Sequence, residues 1–133
     1  MISNLYEIKN LWLSFPDFNR KPLIGPTPKI EILKGLTFNI PKGQITGIVG
    51  GSGSGKSTLG RCLIRLLEPD AGKLVFNEID IAHWNEGQIR PMRNKLQMIF
   101  QDPMSALNPR KRIKGIISGP MHVHRVTGIK QKV

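Results

Sequence analysis

Residues Gly50-Gly51-Ser52-Gly53-Ser54-Gly55-Lys56-Ser57-Thr58 follow the spacing G-x-x-x-x-G-K-[ST], with a second hydroxyl residue behind it. Glycines at 50, 53 and 55 let the backbone take left-handed conformations and approach a ligand closely. Successive N–H groups then converge at the positive end of a following helix, which is a cradle for a polyphosphate. Lys56 carries a compact charge on a flexible stem and can reach the β- and γ-phosphates. The Ser57 hydroxyl is placed to ligate a Mg²⁺ that bridges them. A flexible Gly/Ser linker is the plainer reading of so many small residues. Linkers, however, do not carry Lys-Ser-Thr at this spacing between an apolar run and a helical stripe.

The elements that must hold this loop are legible on both sides of it. Before it, Gln44 to Val49 include Ile45, Ile48 and Val49, which suit a buried strand. After it, Leu59, Cys62, Leu63, Leu66 and Leu67 fall at i, i+3, i+4, i+7 and i+8, one apolar stripe of an amphipathic helix. Glu68-Pro69-Asp70-Ala71-Gly72 is a stop signal for that helix. Upstream, Leu5, Ile8, Leu11, Leu13 and Phe15 give a first strand ending near Phe15-Pro16, interspersed with polar residues but not in strict alternation. Four prolines and Gly25 make the span to Pro28 a loop. Leu33, Leu36, Phe38 and Ile40 predict a second strand closed by the turn Pro41-Lys42-Gly43. Downstream, Lys73–Phe76 and Ile79–Ile81 predict a strand pair around Asn77-Glu78. His83–Arg90 reads as a loop or short helix ended by Pro91. Leu96, Met98, Ile99 and Phe100 predict a further buried strand with Gln101 at its end, followed by a proline-punctuated loop and a helix opening at Ile113.

With 133 residues and 39% hydrophobic content, the chain amounts to at most one ordinary domain with a modest core. No run approaches membrane-spanning length, and the first residues lack a basic-then-apolar signal pattern. The chain is therefore expected on the cytoplasmic side. The single cysteine, Cys62, excludes an internal disulfide and lies on the apolar stripe, so a buried, inert thiol is expected. The net charge of +11 is uneven: residues 1–89 hold ten Lys/Arg and eight Asp/Glu, whereas residues 90–133 hold ten Lys/Arg and only Asp102. Such a basic segment could bind nucleic acid or anionic headgroups. The lack of any aromatic-interleaved or recognised nucleic-acid module favours instead a segment whose acidic partners lie outside this chain. His83, His122 and His124 fit no metal-ligand spacing.

Three stretches together resemble the N-terminal half of an ABC transporter ATP-binding subunit: the loop GGSGSGKST, the preceding EILKGLTFNIPKGQITGIVG and the later LQMIFQDPMSALNPRKRI. FQDP followed by SALNPR is similar to the subfamily that energises dipeptide and oligopeptide importers. The resemblance runs from about Leu5 to Pro120. It implies an α/β fold, an incomplete P-loop NTPase core with a mixed sheet, an antiparallel β part made from the first strands, and the P-loop helix over Leu59–Leu67. It implies a partial nucleotide-binding domain over 1–120 and a basic tail over 121–133. It also implies that Gly50, Gly51, Ser52, Gly53, Ser54, Gly55, Lys56, Ser57 and Thr58 bind ATP. Gln101 then completes the Mg²⁺ coordination begun by Ser57, and Phe15 stacks on adenine, with Trp12 as its competitor. Partners implied are transporter membrane subunits and a second ATP-binding subunit, with the chain peripheral on the cytoplasmic face and no nucleic acid.

In the same family, an acidic strand end, an LSGGQ-type signature and a switch histidine lie downstream of the matching glutamine. None occurs here, and no Asp or Glu follows Asp102. The expectation is a nucleotide-docking half without a catalytic half, so no catalytic residue is assigned. Two other readings stay open at this point: a stand-alone P-loop nucleotide-binding module, and a basic nucleic-acid-binding protein. Gln101-Asp102-Pro103 favours the transporter reading, because a generic phosphate loop does not need it.

Overall fold

The computed structural model describes residues 3–102 and 107–124. It divides into two units, 1–96 and 97–133.

In the first unit, β1 (Asn4–Pro16) and β2 (Lys29–Pro41) form a long antiparallel hairpin. β3 (Ala71–Phe76) adds to the other edge of β1, and the short β4 (Ile79–Asp80) follows it, giving the order β2-β1-β3-β4. The broken alternation of the first strand has a local cause. Asn10 takes φ 49° and the register of β1 against β2 shifts between Ile8 and Leu11. A bulge of this kind lets residues three apart face the same side, and Ile8 and Leu11 are both fully buried. The proline-rich span is irregular apart from a 3₁₀ turn at Phe18–Arg20.

The helix that follows the glycine loop, α1 (Lys56–Leu63), buries Leu59, Cys62 and Leu63 in the core with Ile8, Leu11, Leu33 and Leu74. The Tyr6 hydroxyl donates to the Leu63 carbonyl at 3.0 Å, tying β1 to the end of the helix. Burial pushes the Cys62 thiol up to about 11, so the thiol is inert at neutral pH, as expected from its place on the stripe.

α1 is shorter than the stripe predicts. It ends at Leu63, and Arg65 adopts φ 57°. Two guanidinium groups hold the released chain. Arg93 donates to the carbonyls of Ile64 at 2.6 Å and Arg65 at 3.0 Å, and Arg65 donates to the carbonyls of Ile81 and Trp84, both at 2.8 Å. Cations that satisfy carbonyls at a helix C-terminus replace the turns the helix would have continued. α2 (Glu86–Ile89) opens on a reciprocal capping box between Asn85 and Gln88 and runs into a 3₁₀ turn over Arg90–Met92.

Two predicted strands do not form. Residues 44–49 have no strand partner among the described residues, and Ile45 and Val49 are fully exposed. Residues 96–100 are likewise irregular; Leu96 is buried in the first unit, whereas Ile99 is 91% exposed. A strand exists only where a neighbour's backbone accepts its hydrogen bonds, and parallel neighbours need long crossover connections. Among the described residues the sheet is antiparallel throughout. The antiparallel part and the P-loop helix of the expected α/β core are thus built, while its parallel part is not.

Exposed apolar segments that lack strand partners recruit other chains. The isolated 133-residue chain is therefore expected to self-associate in sizing chromatography, and a single sharp monomer peak at high concentration would contradict this.

In the second unit, α3 (Ile113–Val123) forms where the isoleucine spacing opens a helix; it contains Pro120 and buries no residue. The part of the basic tail beyond His124 lies outside the described residues.

Candidate nucleotide-binding site

The phosphate loop is held between the N-terminus of α1 and the start of β2. Gly55 is the N-cap of α1 at φ 88° and makes no side-chain cap, so the first-turn amides are left to a ligand. A Cβ at Gly55 would stand 3.1 Å from the Ile32 side chain, which explains why only glycine lets the loop lie so close to β2. A Cβ at Gly50 would meet the Ser54 hydroxyl at 2.7 Å. Lys56 folds back over its own loop: its Nζ donates to the carbonyls of Gly50 at 2.8 Å and Gly51 at 2.5 Å, and to Ser54 Oγ at 3.4 Å. Its charge is thereby fixed above the loop.

A recess of about 210 Å³ opens beside this loop, lined by Phe15, Ile32 and the run Gly53 to Thr58. Phe15 stands opposite Ile30 at the end of the β1–β2 hairpin and is 38% exposed. Phe15 and the phosphate loop thus line one cavity. Trp12 is engaged elsewhere: its Nε1 donates to Asn10 Oδ1 at 2.9 Å and its ring lies over Gly35. The recess contains Phe15 and not Trp12 among its lining residues.

Of the other candidate residues, Gly53, Ser54, Gly55, Lys56, Ser57 and Thr58 line the recess. Gly50 and Gly51 contribute the carbonyls that hold Lys56, and Ser52 is exposed on the loop. Gln101 is an exposed residue of the second unit, and Pro103 lies outside the described residues. Ile32 was not singled out from the sequence. Its position between Glu31 and the buried Leu33 gives it no special signal, and only the loop's approach to β2 makes it a wall of the recess.

The donor set suits a magnesium nucleotide: helix-terminal amides and an ammonium for phosphate, an exposed Ser57 hydroxyl for a hard cation, and an aromatic face for a base. Among the described residues there is no group of three His, Cys, Asp or Glu that could hold a metal by itself. His83 Nδ1 lies 3.7 Å from the exposed Glu68 carboxylate.

The sequence model described as ABC transporter matches residues 33–131. The chain is 40% identical over 104 residues to the oligopeptide transport ATP-binding protein AppF of Bacillus subtilis, which covers 77% of this chain and 32% of that protein. It is 36% identical over 122 residues to the oligopeptide transport ATP-binding protein OppF of Streptococcus mutans, covering 92% of this chain and 37% of that one. It thus spans about a third of the length of these relatives. Among solved structures, it is similar to a dimeric ATP-binding cassette in a post-hydrolysis state bound to ADP and Pi, with a TM-score of 0.56 and 25% identity over 66% of this chain and 34% of the other. A bacterial Atm1-family ABC exporter with ATP bound matches with a TM-score of 0.50 and 32% identity, covering 68% of this chain and 14% of that chain. With the family's model covering most of the sequence and the glycine loop, its helix and the antiparallel sheet in place, the chain belongs to the ABC transporter family.

Proposed function

We propose that this chain is the ATP-docking part of a subunit that powers import of peptides. The recess carries the reading, since Phe15 and the run Gly53 to Thr58 line one cavity. The names of the relatives, which are oligopeptide transport ATP-binding proteins, support the peptide assignment.

In this reading the amides at the start of α1 and Lys56 hold the triphosphate, and Phe15 stacks on adenine. Ser57 would hold Mg²⁺, which screens phosphate charge when bound. Residues 1–120 make up the partial nucleotide-binding domain and residues 121–133 its basic tail. Among the described residues no helix is long and apolar enough to cross a membrane. Membership of the ABC transporter family supports membrane subunits and a second ATP-binding subunit as the proposed partners, with the chain peripheral on the cytoplasmic face.

Aromatic stacking is worth roughly 0.5–1.5 kcal/mol beyond area, so Phe15→Ala is expected to weaken MgATP binding about threefold to tenfold. Equilibrium binding of the two aromatic variants tests it. A loss with Trp12→Ala and none with Phe15→Ala would assign the base to the wrong aromatic.

A further inference from the structure

On one edge the end of β1 pairs with β2 as far as Pro16 opposite Lys29, but on its other edge β3 does not reach that far. Pairing of β1 with β3 stops at Trp12 opposite Ala71. Ser14 has the same parity as Trp12, so its N–H points to the side where β3 would continue, and no strand is there to accept it. The Asp70 carboxylate takes that place. Its Oδ2 accepts from the Ser14 N–H at 2.5 Å and from the Ser14 hydroxyl at 2.7 Å.

Asp70 is itself fixed. Its N–H donates to the Trp12 carbonyl at 2.8 Å, and Lys29, opposite Pro16 in the hairpin, brings its ammonium to 3.9 Å from Oδ1. Two residues on, Gly72 passes β1 so closely that a Cβ would lie 2.2 Å from the Asn10 carbonyl oxygen. The bonds from Ser14 hold the Asp70 carboxyl below the usual carboxylate range, so it is ionised at neutral pH. Asp70 is absent from the lining of the recess and acts on it only through β1.

We infer that Asp70 is a positioning residue for base recognition: by tethering Ser14 it fixes the end of β1 and so sets Phe15 against the phosphate loop. The turn after α1 then orients the aromatic wall of the same recess whose phosphate wall opens α1. This inference rests on the reading that Phe15 stacks on adenine.

The test compares MgATP with magnesium tripolyphosphate, which offers the phosphates without a base, on the full chain and on Asp70→Ala, Asp70→Asn, Phe15→Ala and the Asp70→Ala/Phe15→Ala pair. Asp70→Ala is expected to weaken ATP about threefold to tenfold, as Phe15→Ala does, because both remove the same stacking contact. Tripolyphosphate affinity stays within about twofold, and the double variant loses no more than either single one. Asp70→Asn keeps one oxygen for Ser14 and falls between wild type and Asp70→Ala. If Asp70→Ala does not fold, the Asn variant carries the test through its smaller but still base-selective loss. Equal weakening of both ligands would reveal a merely structural role and overturn the inference, as would losses that multiply in the double variant. A loss with Phe15→Ala but none with either Asp70 variant overturns this inference alone. No loss with Phe15→Ala removes the stacking reading itself, and the inference with it.

Discussion

The 133-residue chain is expected to hydrolyse ATP no faster than its Lys56→Ala variant. Phosphoryl transfer to water needs the phosphates held, the attacking water oriented and charge stabilised on the far side of the γ-phosphate. The recess supplies the first of these. Its lining, from Phe15 and Ile32 to Gly53–Thr58, contains no carboxylate and no histidine, and no Asp or Glu follows Asp102 in the sequence. A water-orienting base and an electrostatic closing contact are each worth on the order of a hundredfold or more in rate. A recess lined without either is expected to turn over near background. Phosphate release measured over hours on purified wild type and Lys56→Ala checks this. Steady turnover that vanishes in the variant would show that another residue orients the water.

Binding should respond to Lys56 far more than to any other single side chain of the loop. Lys56→Ala removes a cation that can bond phosphate directly, and hydrogen bonds to charged groups are worth about 1.5–3 kcal/mol. The ammonium's three donors here gather Gly50, Gly51 and Ser54, so bonding phosphate exchanges some of these bonds for stronger ones to a charged oxygen. A loss of about tenfold to a hundredfold is expected for MgATP and for magnesium tripolyphosphate alike. The common loss matters, because it separates Lys56 from Phe15, whose removal should spare tripolyphosphate. An unchanged tripolyphosphate affinity in Lys56→Ala would take the phosphates away from this loop.

The antiparallel hairpin, the loop and the helix start were legible in the sequence because their signals are local. Glycine at Gly55, the apolar spacing of Leu59, Cys62 and Leu63, and the turn at Pro41-Lys42-Gly43 each act within a few residues. What was not legible depends on partners distant in sequence. Ile45, Ile48 and Val49 carry a buried-strand pattern, but that pattern states a need for neighbours and does not supply them. The end of α1 depended on Arg65 and Arg93, whose guanidinium groups reach carbonyls that no local pattern marks. Likewise, the resemblance points to Phe15 but leaves Trp12 as a competitor; the indole's bond to Asn10 and its absence from the lining of the recess are visible only in the fold. Asp70 read only as part of a helix stop, because its role as the acceptor for Ser14 appears only once β1 and β3 are paired.

Photolabelling tests most directly the claim that one recess holds both the base and the phosphates of a nucleotide. The chain is kept dilute, so that self-association does not interfere, and irradiated with azido-ATP substituted on the adenine ring in the presence of Mg²⁺; the modified peptides are then mapped by mass spectrometry. Label is expected at the end of β1 around Phe15, suppressed by excess ATP and lost in Lys56→Ala. Label confined to the basic run Arg110-Lys111-Arg112, or label near Phe15 that persists unchanged in Lys56→Ala, would contradict that claim.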